Sequence, residues 1–221
     1  MRGLYILAEG PTEEEFINRV LRPYFYNYGI NDVRAILMET SPGHKGGDVS
    51  YQRFKNNAEK LLKRESDVIV TSLIDFFRLK TDFPDFVSTS SITDKFQRVT
   101  NLENAIAHDI NRSRLIPYIQ LHEFESLLFS SNAGFNYFSD DIPESNLVEL
   151  NRAVLKYENP ELLNDGAESA PSKRLERLIP GYRKTLHGPF IAEEISLSVI
   201  MNRCVRFRNW IETLIHRMHT Q

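Results

Sequence analysis

The sequence predicts an α/β fold: a parallel sheet of about four strands flanked by helices, with a helical C-terminal subdomain. Two observations predict it. Four short apolar runs alternate with segments of helical periodicity up to about residue 125. Such β-α-β-α-β-α-β alternation implies parallel strands joined by right-handed crossovers. After Phe129 no strong strand pattern follows. Residues 1–130 are therefore expected to form the core, and residues 131–221 a helical extension packed on it.

The first run, Gly3 to Ala8, ends at Glu9-Gly10-Pro11-Thr12 and reads as a buried strand opening into a helix. Thr12 is the expected N-cap, with Glu15 completing a capping box. The helix continues through Phe16, Val20 and Leu21, and Pro23 interrupts or kinks it. Val33 to Met38 is the second strand. Residues 41–48, with three Gly and one Pro, read as a loop. Ser50 to Arg64 is helical, with Phe54, Ala58, Leu61 and Leu62 on one face. A third strand runs from Asp67 to Ile74 and ends at Asp75.

Phe76 to Ser91 is a connection, and a helix from about Thr93 to Arg112 follows. The fourth strand, Leu115 to Leu121, runs into His122-Glu123-Phe124-Glu125. Beyond it, Asn132 to Asp141 reads as loop and Glu144 to Tyr157 as helix. Asn164 to Pro171 is a further loop. Ser172 is the expected N-cap of a short helix, and the last thirty residues are helical.

Composition bounds the function. The chain has 221 residues, a net charge of −3 and a single cysteine, Cys204. No internal disulfide is possible, which fits a reducing cytoplasm. The six apolar residues before Glu9 are too few for a signal-peptide core, and no segment approaches about 20 apolar residues, so export and membrane spanning are not expected. The charge is uneven. Residues 172–221 hold nine Lys/Arg against four Glu, a balance of +5 beside −8 for the remainder. An acidic half beside a basic half suits a metal site beside a phosphate-binding surface, and equally suits solvated helix faces.

In open parallel sheets, ligands bind beyond the carboxyl ends of the strands. Three of the four strands end in acid: Glu9 with Glu13 one helical turn on, Asp75, and Glu123 with Glu125. Five carboxylates converging on one rim repel unless a cation neutralises them, and hard oxygen donors in this number suit Mg2+ or Mn2+. His122 is a candidate ligand or general base, although a histidine ending a strand is more often simply hydrogen-bonded. Gly46 and Gly47 are candidates for backbone approach to a phosphate, against a plain loop. Lys173 and Arg174 sit in the first turn of a predicted helix, where the dipole disfavours cations unless an anion lies there. A solvated surface turn is the alternative. No P-loop, dinucleotide fingerprint or zinc spacing is present.

Glu9-Gly10-Pro11-Thr12-Glu13 after an apolar strand resembles the opening motif of Toprim domains, the metal-binding α/β fold of topoisomerases, primases and OLD-family nucleases. It is closest to the OLD-family form. The whole chain resembles the bacterial family called domain of unknown function 4276. The matching stretches are Glu9 to Glu13, Gly46-Gly47 with Ser50-Tyr51, Leu73-Ile74-Asp75, Ile116-Pro117-Tyr118 through Glu125, Ala170 to Arg174, and the aromatic C-terminal helix.

The resemblance implies a Toprim-like metal site. Glu9 would be the first glutamate, Glu13 its partner, and Asp75 the first aspartate of an Asp-x-Asp pair. Phe77 stands where the second aspartate is usual, and Glu123 and Glu125 would restore the ligand count. Lys173 would match the lysine that OLD-family nucleases place near the scissile phosphate. The implied activity is metal-dependent cleavage of DNA or RNA, in the company of a partner ATPase in bacterial defence or repair. The alternative is a binding subunit that kept the fold and lost catalysis.

Overall fold

A computed structural model describes residues 2–41, 44–45, 49–77, 79–163 and 170–220. Strand β1 (Gly3–Ala8) is fully buried and lies at the centre of a parallel sheet. It pairs with β2 (Val33–Leu37) on one side. On the other it pairs with β5 (Val68–Asp75) along its whole length. Alternation along β1 and β5 divides the core. Leu4, Ile6, Ala8, Ile69 and Leu73 face one hydrophobic cluster, and Tyr5, Leu7, Val68, Val70 and Ile74 face the other. A sheet covered on both faces explains why these strands read as unbroken apolar runs.

The first helical stretch departs from the expected capping box. Helix α1 (Pro11–Phe16) begins with Pro11 just after Gly10, and no side chain caps it. Proline supplies a preset φ at a position whose N–H has no helical partner. Thr12 is buried inside the helix. Pro23 does not break the run. A π-helical turn, Ile17–Leu21, widens it before α2 (Arg22–Tyr26), and Pro23 falls in the first turn of α2. There its missing N–H costs little.

Where a loop was expected over 41–48, β3 (Glu39–Ser41) and β4 (His44–Lys45) form a short antiparallel pair. Helix α3 (Tyr51–Arg64) and helix α4 (Lys95–Ile110) cover one face of the sheet.

The predicted fourth strand is two pieces, β6 (Leu115–Ile116) and β7 (Ile119–Gln120), both parallel to β5. Pro117 lacks the N–H a continuous ladder needs. Side chains of β5 replace the missing rungs. Thr71 Oγ1 donates to the Ile116 carbonyl at 2.6 Å. Ser72 Oγ and the Tyr118 backbone are bonded at 2.9 Å through both the Tyr118 N–H and its carbonyl.

A 3-10 stretch (Phe124–Ser130) follows β7. The segment expected as loop at 132–141 holds the short helix α5 (Ala133–Asn136) and a 3-10 turn at Ser139–Asp141. Then come α6 (Glu144–Lys156), α7 (Pro171–Leu178), α8 (Lys184–Ile195), α9 (Leu197–Arg203) and α10 (Val205–His219). Ala170, not Ser172, precedes the first turn of α7, which leaves the Ser172 hydroxyl available elsewhere.

Helix α10 locks onto the sheet. Trp210 Nε1 donates to Thr71 Oγ1 at 2.9 Å, and its ring stacks on Tyr118 with centroids 4.3 Å apart. Arg206 pairs with the half-buried Glu103 carboxylate. Glu161 accepts from the backbone N–H groups of Arg206 and Phe207, satisfying the start of α10. Helix α8 lies on α1 and α5. A Cβ at Gly134 would stand 2.7 Å from both Ile191 Cγ2 and its carbonyl, so only glycine permits the approach of α5 to α8.

Candidate functional site

Hydrogen bonds tie the strand ends together. Glu9, just past β1, accepts from the Asp75 N–H at 2.8 Å. Asp75, the last residue of β5, accepts from the Phe124 N–H at 2.9 Å. Glu123 accepts from both the N–H and the hydroxyl of Ser172, each at 3.0 Å. Ser172 therefore docks α7 onto the rim rather than capping its own helix. His122 turns the chain between β7 and Glu123 with φ of 66°. That left-handed conformation is uncommon in a residue with a side chain.

These bonds build a cavity of about 170 Å3 lined by Glu9, Glu13, Asp75, Glu123, Phe77 and Lys184, with Gly10 to Thr12 at its floor. Glu125 lies behind it, fully buried, with Lys184 Nζ 2.8 Å from its Oε1. Both Glu125 oxygens and the nearby Tyr182 hydroxyl are buried without a hydrogen-bond partner.

The electrostatics follow from crowding. Burial and then the neighbouring Glu9 push the Glu13 carboxyl up to about 7. Burial, opposed in part by Lys184, brings Glu125 to about 7. Asp75 is raised by burial and by Glu13, Glu9 and Glu125. Burial works against the Lys184 ammonium, but Glu125, Asp75 and Glu123 outweigh it and hold its pKa above the ordinary lysine range.

The donor chemistry fits a hard divalent cation. It consists of carboxylate oxygens only, crowded enough to favour protons in the absence of another cation. The side chains are not preassembled, however. Among the described residues, no three His, Cys, Asp or Glu side chains are grouped closely enough to hold one ion. The donors that organise the rim occupy carboxylate oxygens of Glu9, Asp75 and Glu123, tying each to a neighbouring element.

The structure places the other candidates elsewhere. His122 is buried, its Nε2 lies 3.3 Å from Lys95 Nζ, and burial followed by Lys95 lowers its pKa to about 4, so the ring is neutral. It does not line the cavity. Lys173 is exposed and pairs with Glu176 at 2.7 Å. Arg174, 3.8 Å from Glu149, lines a separate cavity of about 400 Å3 with Arg152 and Lys156. Gly46 and Gly47 lie outside the described residues.

Lys184 is the residue that sequence reasoning missed. The dipole argument applied to Lys173 reaches Lys184 only once the structure shows a helix beginning there, a start that the sequence reading did not include.

A parallel sheet with an acidic rim at its carboxyl ends, helices on both faces and a helical C-terminal part defines an α/β protein with its candidate site at the strand ends. The chain belongs to the family described as Domain of unknown function (DUF4276), whose model matches residues 8–215. The fold is similar to the C-terminal region of the Burkholderia pseudomallei OLD protein, with a TM-score of 0.53 at 14% identity, covering 97% of this chain and 98% of that one. A second similar structure is the C-terminal region of the Xanthomonas campestris pv. campestris OLD protein, with a TM-score of 0.42 at 15% identity over 99% and 98% of the two chains. No curated protein matches the sequence. No helix among the described residues is long and apolar enough to cross a membrane.

Proposed function

We propose that this protein is a metal-dependent phosphodiesterase acting on DNA or RNA, with Mg2+ or Mn2+ as its cofactor. The observation that carries the reading is a lysine ammonium placed on a cavity that four carboxylates also line. Glu9, Glu13, Asp75 and Glu123 would hold the cation, with Glu125 in reserve behind Lys184. When bound, the cation would polarise phosphoryl oxygens and make water a better nucleophile.

Lys184 offsets the charge that develops on the phosphoryl group and keeps the acidic rim from repelling the substrate. Glu125 aims Lys184. His122 is a positioning residue: its carbonyl accepts the Phe77 N–H at 2.9 Å and its turn presents Glu123. Lys173 and Arg174, outside the cavity, would meet substrate phosphates beyond the scissile one, and Gly46 and Gly47 would approach the same backbone. The relation to OLD proteins supports a bacterial defence or repair role with a partner ATPase.

A second reading, a binding subunit without catalysis, is favoured by one observation. Phe77 takes the place of a further carboxylate in a site whose ligands are not preassembled.

The test is cleavage of end-labelled DNA and RNA with Mg2+ or Mn2+, by the protein alone and with its cognate ATPase, using Asp75→Asn as the control. The asparagine retains an acceptor for the Phe124 N–H. Chelator-sensitive cleavage lost in Asp75→Asn supports the enzyme. Binding with no cleavage under any of these conditions establishes the second reading instead.

A further inference from the structure

The connection from Phe76 to Ser91 is rich in phenylalanine, and its rings divide into two kinds. Phe83 is buried against Tyr51 and Phe54. Phe76 and Phe86 pack on each other, and Arg98 lies 5.0 Å from one ring centroid and 5.1 Å from the other. Phe77 differs. It is 39% exposed, it lines the acidic cavity, and no ring or cation stacks on it among the described residues. Its backbone is not loose, because its N–H is bonded to the His122 carbonyl on the adjoining strand end.

This large apolar ring, on the rim of a cavity lined by carboxylates and a lysine, belongs to neither hydrophobic cluster of the core. A cavity lined by four carboxylates and Lys184 offers a cation-bridged phosphate charged partners and offers a base little apolar surface. A base attached to a phosphate beside Lys184 would lie at the rim, where Phe77 stands. In a duplex each base is paired and stacked on both faces, so a ring at phosphate depth meets only the backbone. An unpaired base can turn its π-face onto the ring, and such stacking tolerates any sequence.

We infer that Phe77 is a stacking platform for an unpaired nucleobase next to the bound phosphate, making single-stranded nucleic acid the preferred ligand of this site. The inference rests on the phosphodiesterase reading, or at least on nucleic-acid binding at this cavity. The ring recognises the base, which DNA and RNA share.

The experiment measures anisotropy of short fluorescein-labelled oligonucleotides, with Ca2+ in place of Mg2+ to hold back cleavage. Single-stranded DNA, single-stranded RNA and the DNA duplex are the three arms, with wild type, Phe77→Leu and Phe77→Trp. Phe77→Leu is expected to lower the ratio of single-strand to duplex affinity about five- to a hundredfold, the range for one lost stacking contact. Phe77→Trp should restore the ratio. An effect in both single-stranded arms assigns the contact to the base, and one in a single arm names the polymer. An unchanged ratio in Phe77→Leu, or a tryptophan variant that behaves like leucine, overturns the inference while leaving the phosphodiesterase reading intact. Should Phe77→Leu fail to fold, quenching of 2-aminopurine in a single strand by the wild-type protein supports stacking, and unaltered fluorescence in the bound strand excludes it. If the wild type binds neither single strands nor duplex, the functional reading itself fails, and the inference with it.

Discussion

The ammonium of Lys184 stands 2.8 Å from Glu125, a carboxylate with no exposure of its own, while the lysine is 39% exposed. The buried partner explains why a cation opens helix α8 against its dipole. It also explains how a positive group reaches a rim of acids without wandering in solvent. Lys184→Met is expected to lower turnover about 100- to 1000-fold, the scale for removing one preorganised donor to developing charge. Single-turnover cleavage by the variant checks this. Lys173→Ala breaks only an exposed pair with Glu176 and should change stability by no more than about 1 kcal/mol in urea unfolding. A turnover loss in Lys173→Ala equal to that of Lys184→Met would reassign the principal phosphate cation to α7.

The acidic cavity makes stability depend on pH in an unusual direction. Glu13 and Glu125 have carboxyls raised from 4.5 to about 7 in the folded chain. Between those values the folded state binds more protons than the unfolded one, so their contribution to stability is lost as pH rises through that window. In chelator, Tm should carry a falling component from about pH 4.5 to about pH 7, flattened in Glu13→Gln and Glu125→Gln. Mg2+ or Mn2+ should raise Tm, more above that window than below it, because cation and protons compete. A wild-type pH profile indistinguishable from both variants would refute the assignment.

Ser72 substitutes for a strand. Its hydroxyl serves both the N–H and the carbonyl of Tyr118 where Pro117 interrupts the ladder. Ser72→Ala leaves buried backbone groups unpaired and should cost about 1–3 kcal/mol by urea unfolding. Because β7 leads directly to Glu123, the same variant should also weaken cation binding, readable by calorimetry. Full stability in Ser72→Ala would show that the break is bridged some other way.

Gly134 has no room for a methyl group. Gly134→Ala would press on Ile191 and its carbonyl, push α5 from α8, and cost about 1–3 kcal/mol. Since α8 carries Lys184, turnover should fall although residue 134 does not line the cavity. A stable variant with wild-type turnover would show that α8 tolerates the shift.

Much of the sheet was legible from local pattern. A parallel strand buried on both faces must be an apolar run, and the residue after it leaves the core, so Gly3 to Ala8 followed by Glu9 marks both a strand and its rim. The same logic locates Asp75 and Glu123. It fails at Pro117, where one apolar run contains two strands, because apolarity records burial and not hydrogen bonding. It fails at Thr12, where the capping-box pattern is present but Pro11 sets the helix start two residues earlier.

What the sequence by itself determined is the order of the buried elements and the acids at their ends, since both depend on the side-chain pattern within a few residues. Only the tertiary structure decided which cation serves the acids. Lys173 and Lys184 both open predicted or observed helices in the basic C-terminal part, and their neighbours in sequence do not separate them. The packing of α8 on α1 and α5 brings Lys184 to Glu125. A charge's role is set by the low-dielectric surroundings and partners the fold assembles around it, and those partners come from distant parts of the chain.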